Sequence, residues 1–103
     1  MKTIAKEFIG RGEVRGIVFT LLKRDGLITL WGRSDDTYEV VNLVERKETH
    51  ATFEGTEVVF EAKEIYPQGE SWGLQGHGKA YVNYEHALAN FNSRINAREH
   101  KAI

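Results

Sequence analysis

Residues 17–31 carry the plainest pattern of apolar and polar positions in the chain. Ile17, Phe19 and Leu21 alternate up to Arg24, Asp25-Gly26 interrupts, and Ile28 and Leu30 alternate onward. A period of two on each side of Asp-Gly predicts a β-hairpin, because that dipeptide accepts the positive φ values of turns whose twist matches the strands. With Asp25-Gly26 as a two-residue loop, Arg24 pairs with Leu27, Leu22 with Thr29, Leu21 with Leu30 and Thr20 with Trp31. One face is then Ile17, Phe19, Leu21, Ile28 and Leu30, wholly apolar and expected in the core. The other face, Thr20, Leu22, Leu27, Thr29 and Trp31, is mixed. Trp31 there is either covered by a second layer or helix, or presented to a partner.

Three more segments have strand character. Lys2 to Ile9 predicts a short strand, with Gly10, Gly12 and Gly16 marking a bend or bulge before the hairpin. Thr37 to Lys47 carries Tyr38, Val40, Val41, Leu43 and Val44, and Thr56 to Tyr66 places Val58, Phe60 and Ala62 on one face. Glu54-Gly55 between them marks a hairpin turn. A two-residue loop pairs Phe53 with Thr56, Ala51 with Val58 and His50 with Val59, while a longer loop over 48–55 is equally compatible. One helix is predicted from Tyr84 to about Arg98, with Asn83 as N-cap and Tyr84, Ala87, Leu88, Phe91 and Ile95 as its apolar stripe. Glu85 in the first turn and Arg94, Arg98 and Lys101 toward the end complement the helix dipole. Strands followed by one helix predict an α+β domain: a twisted antiparallel β-sheet of four to six strands with one C-terminal α-helix packed on one face.

The size and composition agree with that picture. At 103 residues with 41% hydrophobic and 28% charged side chains, the chain is expected to form one domain, 1–103, with a real core. The absence of cysteine excludes disulfides, thiolate metal sites and cysteine nucleophiles. The opening MKTIAKEFIG has no apolar stretch of signal-peptide type, and no run approaches the roughly 18 apolar residues of a spanning helix. A cytoplasmic protein without a membrane partner is the expectation. Net charge is only −1, but the signs are segregated. Residues 1–34 hold seven basic and three acidic side chains, 35–70 three and ten, and 71–103 four and two. Patches of opposite sign favour steered docking to a macromolecule.

The candidate chemistry is sparse. Gly73-Leu74-Gln75-Gly76-His77-Gly78-Lys79 has the G-x-x-x-x-G-K spacing of a phosphate-binding loop. Ala80 stands where a magnesium-binding hydroxyl belongs, and no helix follows the lysine directly, so neither a nucleotide nor any other cofactor is expected. The glycine-bearing loop 67–82 is instead the leading contact region for a protein partner, through Trp72, Leu74, Gln75, His77 and Lys79, with Trp31 as a further contact. His77 and Lys79, with His50 or His86, could serve a metal-independent nuclease, but four scattered histidines are weak support for a catalytic site and give no metal spacing. Arg11, Arg15, Lys23, Arg24 and Arg33 on the N-terminal strands and turns form the alternative, a basic face for nucleic acid. A homodimer through an open edge strand is a further arrangement the pattern allows.

The segment Gly10-Arg11-Gly12-Glu13-Val14-Arg15-Gly16-x-Val18-Phe19, the Tyr38-Glu39-Val40 strand and the later Tyr66-Pro67, Trp72-Gly73, Tyr84, Ala87 and Phe91 arrangement resemble short uncharacterised proteins of gut bacteria, their phages and mobile elements. That resemblance implies a setting and no chemistry. It favours a non-catalytic protein binder, in its narrower form an inhibitor of a host or defence enzyme.

Overall fold

The computed structural model describes residues 2–67 and 78–101. Strands β1 (Glu7–Ile9), β2 (Val18–Asp25), β3 (Ile28–Arg33), β4 (Tyr38–Asn42), β5 (Val44–Arg46), β6 (Thr49–Phe53), β7 (Thr56–Phe60), β8 (Lys63–Ile65) and β9 (Gly78–Tyr81) precede the helix α1 (Tyr84–Lys101). A five-stranded antiparallel sheet runs β1-β2-β3-β4-β9, and α1 lies across it against β3, β4 and β9. The fold is α+β. Between β4 and β9 the chain leaves the sheet as a second antiparallel ribbon. The pairs β5-β8 and then β6-β7 build an arm that reverses at Glu54-Gly55.

The β2-β3 hairpin forms, with a register different from the predicted one. Asp25 pairs with Ile28, so the loop is Gly26-Leu27, with Gly26 at φ +60°. A bulge at Leu22 then shifts the ladder, bringing Leu21 opposite Trp31 and Phe19 opposite Arg33. A shift of one residue moves side chains to the other face. The expected single apolar face is therefore divided. Phe19 and Leu21 pack with Trp31, Val41, Leu43, Tyr66 and Phe8 on one side. Ile28 and Leu30 join Val40, Ala87 and Phe91 beneath the helix. The sheet is buried on both faces, which is why four successive residues of β3, Ile28 to Trp31, are all inaccessible.

Three other segments differ from expectation. Only Glu7–Ile9 of the predicted first strand joins the sheet, while Lys2 makes a lone parallel bridge to Lys63 on the arm. The predicted strands 37–47 and 56–66 are each split. Leu43 turns inward to the core and donates its N–H to the Leu27 carbonyl (2.7 Å), separating β4 from β5. The Ala62 carbonyl accepts the Lys2 N–H (3.0 Å), separating β7 from β8. Gly78–Tyr81 was expected in a loop but covers the free edge of β4, with Tyr81 opposite Tyr38.

The helix follows its sequence signals. The Asn83 side-chain oxygen accepts the N–H groups of Glu85 (2.8 Å) and His86 (3.3 Å), satisfying donors that the first turn leaves orphaned. At the far end Arg98 donates to the Asp25 carbonyl and carboxylate, and Arg94 to Asn42, so the last turns are tied to the β2-β3 turn and the end of β4.

Candidate functional site

Two features of the molecule can meet a partner, the arm and a cavity on the face opposite the helix. In the arm, Thr49 faces Phe60, Ala51 faces Val58 and Phe53 faces Thr56 across the ladder. Directly opposed residues share a face. One side of β6-β7 is therefore Thr49, Ala51, Phe53, Thr56, Val58 and Phe60, without a charge. The turn supports this register because Glu54 (φ +50°) and Gly55 (φ +80°) both lie in the left-handed region that a two-residue hairpin loop of this twist requires. Phe53 is 59% exposed and Phe60 40% exposed. Arg46, from the base of the arm, lies 5.8 Å from the centre of the Phe60 ring. On the reverse side His50 bonds Glu57 (2.9 Å) beside an exposed Val59. Glu54 and Glu57 lie at or near the tip, Glu48 and Glu61 flank the other end of the ladder, and residues 48–61 contain no lysine or arginine.

The cavity lies behind Tyr66. Its volume is about 690 Å³, and Ile4, Phe8, Val14, Phe19, Tyr66 and Pro67 supply most of its apolar wall. Arg33, Glu39 and Tyr66 form its polar floor. Glu39 sits in β4, an interior strand between β3 and β9, at 4% exposure, where an unpaired carboxylate would be costly. Both of its oxygens are satisfied: the Tyr66 hydroxyl donates to Oε1 (2.7 Å) and Arg33 to Oε2 (2.6 Å). Arg33 also grips Asp35 through two nitrogens (2.6 and 3.1 Å). Burial, together with the Glu39 charge, pushes the Tyr66 phenol far above its ordinary value, so it keeps its proton and acts as a donor.

The residues singled out by sequence are dispersed. Trp72, Leu74, Gln75 and His77, with most of the glycine loop, lie outside the described residues. Lys79 is exposed on β9 with its ammonium 5.5 Å from the Tyr81 ring centre. Trp31 is no contact residue: it is wholly buried, and its indole N–H donates to the Thr29 hydroxyl (2.8 Å). The Leu22 bulge in β2 brings Phe19 and Leu21 to the face of Trp31, where Phe8 and Tyr66 complete its cover. The basic set is also depleted. Arg24 is engaged by Glu64 and Arg33 by Asp35 and Glu39, and among the described residues Arg11, Arg15 and Lys23 are the members of the proposed nucleic-acid face without an ion pair. His50 is on the arm and His86 in the first turn of α1, and no hydrogen bond or ion pair joins either to Lys79. Among the described residues no group of three or more His, Asp or Glu side chains could hold a metal ion, and no helix is long and apolar enough to cross a membrane.

Glu39 and Tyr66 were not among the expected functional residues. The available signal was a lone carboxylate within Tyr38-Glu39-Val40-Val41, since a charge in an otherwise apolar strand requires a partner. The arm had a weaker signal, three exposed apolar positions in segments that resemble ordinary strands. Comparison with known proteins adds no relationship: no family model, curated protein or solved structure matches the chain.

Proposed function

We propose that the chain is a non-catalytic protein-binding module whose contact surface is the β6-β7 arm. The observation that carries this reading is the uncharged face of Ala51, Phe53, Val58 and Phe60, displayed on a ribbon whose two edges are unpaired among the described residues. A two-stranded hairpin is marginal by itself in water, and exposed aromatics are the residues that supply most binding energy when a partner covers them. The glutamates along the ribbon, Glu54 and Glu57 toward the tip and Glu48 and Glu61 at its other end, define the complement, an apolar groove or sheet edge rimmed by lysine and arginine. Such a rim would steer the encounter, while Phe53 and Phe60 would hold the complex. The resemblance to phage and mobile-element proteins supports the narrower form, in which the covered groove belongs to a host or defence enzyme.

The test is a pull-down from nuclease-treated bacterial lysate with the intact protein, a Phe53→Ser, Phe60→Ser variant and a Lys79→Ala control. A defined protein retained by the first and third baits and lost from the second supports the reading. Retention by all three, or recovery of nucleic acid alone from untreated lysate, overturns it. In the latter case Arg11, Arg15 and Lys23 become the residues to replace. Salt separates the two outcomes further, since phosphate-backbone binding falls steeply between low and moderate salt and an aromatic contact does not.

A further inference from the structure

The cavity behind Tyr66 is distinct from the arm, and its chemistry is specific enough to name a ligand class. Its volume of about 690 Å³ falls within the range of small-molecule sites, roughly 300–1,000 Å³. The walls are mainly apolar. Phe8 and Phe19 stack with ring centres 4.9 Å apart, and Tyr66 meets both edge-on at 5.2 and 5.6 Å. A flat apolar body can lie against such rings by offset or edge contact.

The polar groups fix the other end of the ligand. Among the described residues three charged side chains line the cavity: Arg11, Arg33 and Glu39. Glu39 is already matched, one oxygen by Tyr66 and the other by Arg33. Arg33 uses three of its five N–H groups on Asp35 and Glu39, leaving two. Arg11 is exposed, and its side chain makes no hydrogen bond or ion pair among the described residues. Among the described residues the remaining charged capacity is therefore that of a guanidinium donor. A planar acceptor with two oxygens suits a guanidinium best.

We propose that this cavity binds a small carboxylic acid with a one- or two-ring apolar body, the body against Phe8, Phe19 and Tyr66 and the carboxylate on Arg11. Arg11 stands beside the short 3-10 turn Gly12–Val14, so its backbone is held while its side chain is free to close on the anion. The Arg33-Glu39-Tyr66 trio keeps the floor rigid and neutral and leaves recognition to the mouth.

Indole-3-acetate, its neutral amide and tryptamine are suitable probes for calorimetric titration of the full chain. The acid is expected to bind saturably with Kd below about 1 mM. The amide and the amine should bind at least about tenfold more weakly. Arg11→Gln should weaken the acid to the level of the amide, without altering the thermal midpoint. Ala5→Phe, which adds a ring at the cavity wall, should abolish binding of all three. Equal binding of acid and amide, an affinity unmoved by Arg11→Gln or Ala5→Phe, or no saturable binding of the acid would each overturn the proposal. Ligand-observed NMR of Arg11→Lys gives a second reading. It retains the charge but not the paired donors, and intermediate affinity is expected, while affinity no better than Arg11→Gln overturns the guanidinium assignment.

Discussion

Arg24 on β2 grips both carboxylate oxygens of Glu64 on β8, joining the sheet to the base of the arm across 40 residues of sequence. Glu64 Oε1 also accepts the Ile4 N–H (3.1 Å), so one carboxylate ties together the N-terminal segment, the sheet and the arm. Its side chain is 8% exposed against 27% for Arg24. The pair is thus partly withdrawn from water, where an ion pair is worth more than on an open surface.

Arg24→Gln should lower stability by about 1–3 kcal/mol, because Glu64 is left with one charge-assisted partner fewer. The Arg24 hydrogen bonds, helped by the Ile4 N–H and opposed by burial, hold the Glu64 carboxyl below the ordinary carboxylate range. A carboxyl depressed in the folded state stabilises above its unfolded pKa, about 4.3, and ceases to do so as pH falls through the folded value. The difference in urea midpoint between the protein and Arg24→Gln is therefore expected at pH 7 and should shrink on acidification below about pH 4. A difference unchanged down to pH 2 would contradict the assignment.

The Arg33-Glu39-Tyr66 trio predicts an order of effects. Tyr66→Phe removes one hydrogen bond from the buried carboxylate and should cost about 1–3 kcal/mol. Arg33→Gln removes the compensating charge and should cost more, about 3–5 kcal/mol. Chemical denaturation of both variants gives the comparison. The raised phenol adds a spectroscopic check: tyrosinate absorbance of the folded protein near pH 11 should be the same with and without Tyr66→Phe.

At the tip of the arm Gly55 adopts φ +80°, where a β-carbon is strained. Gly55→Ala should loosen β6-β7 by about 1 kcal/mol or more. Because the arm pairs within itself, faster amide exchange is expected across Thr49–Phe60 with the β2-β3 ladder unaffected. Glu54→Asn, which suits its own left-handed φ of +50° better, should slow exchange in the same residues.

Thr29 is the polar centre of the sheet. Its hydroxyl donates to the Val41 carbonyl (3.0 Å) and accepts the Trp31 indole N–H (2.8 Å) in a wholly buried setting. Thr29→Val keeps the shape and leaves the indole N–H unpaired. A loss of about 1–3 kcal/mol in urea unfolding is expected.

The sequence announces features that depend on neighbours in the chain and conceals those that depend on distant ones. The Glu54-Gly55 turn, the Asn83 cap and the Ala87-Phe91 stripe are local and are present as predicted, and the turn takes the two-residue register, one of the two the segment left open. The Leu22 bulge is not local. It arises where a sheet is covered on both faces, so Leu21 must point toward Trp31 while Leu30 points toward the helix. The candidate surfaces follow the same division. The exposed alternation of β6 and β7 is written in the segment itself, but its solvent exposure depends on what the rest of the chain leaves uncovered. Glu39 finds Tyr66 across 27 positions, a pairing that spacing alone could not reveal.

The order β1-β2-β3-β4-β9 also has a consequence for the route to the native state. The first four strands are neighbours in sequence and can zip by successive short hairpins, whereas β9 must wait for residues 43–77 to loop out and return. Closing a long loop costs chain entropy before the contact repays it. The helix follows β9 and carries Ala87 and Phe91, so the half of the core beneath it is completed by the last and most delayed pairing. A sheet of the first four strands would therefore leave Leu30 and Val40 exposed, with Trp31 still lacking Tyr66, and the length of the arm would set the pace of the final step.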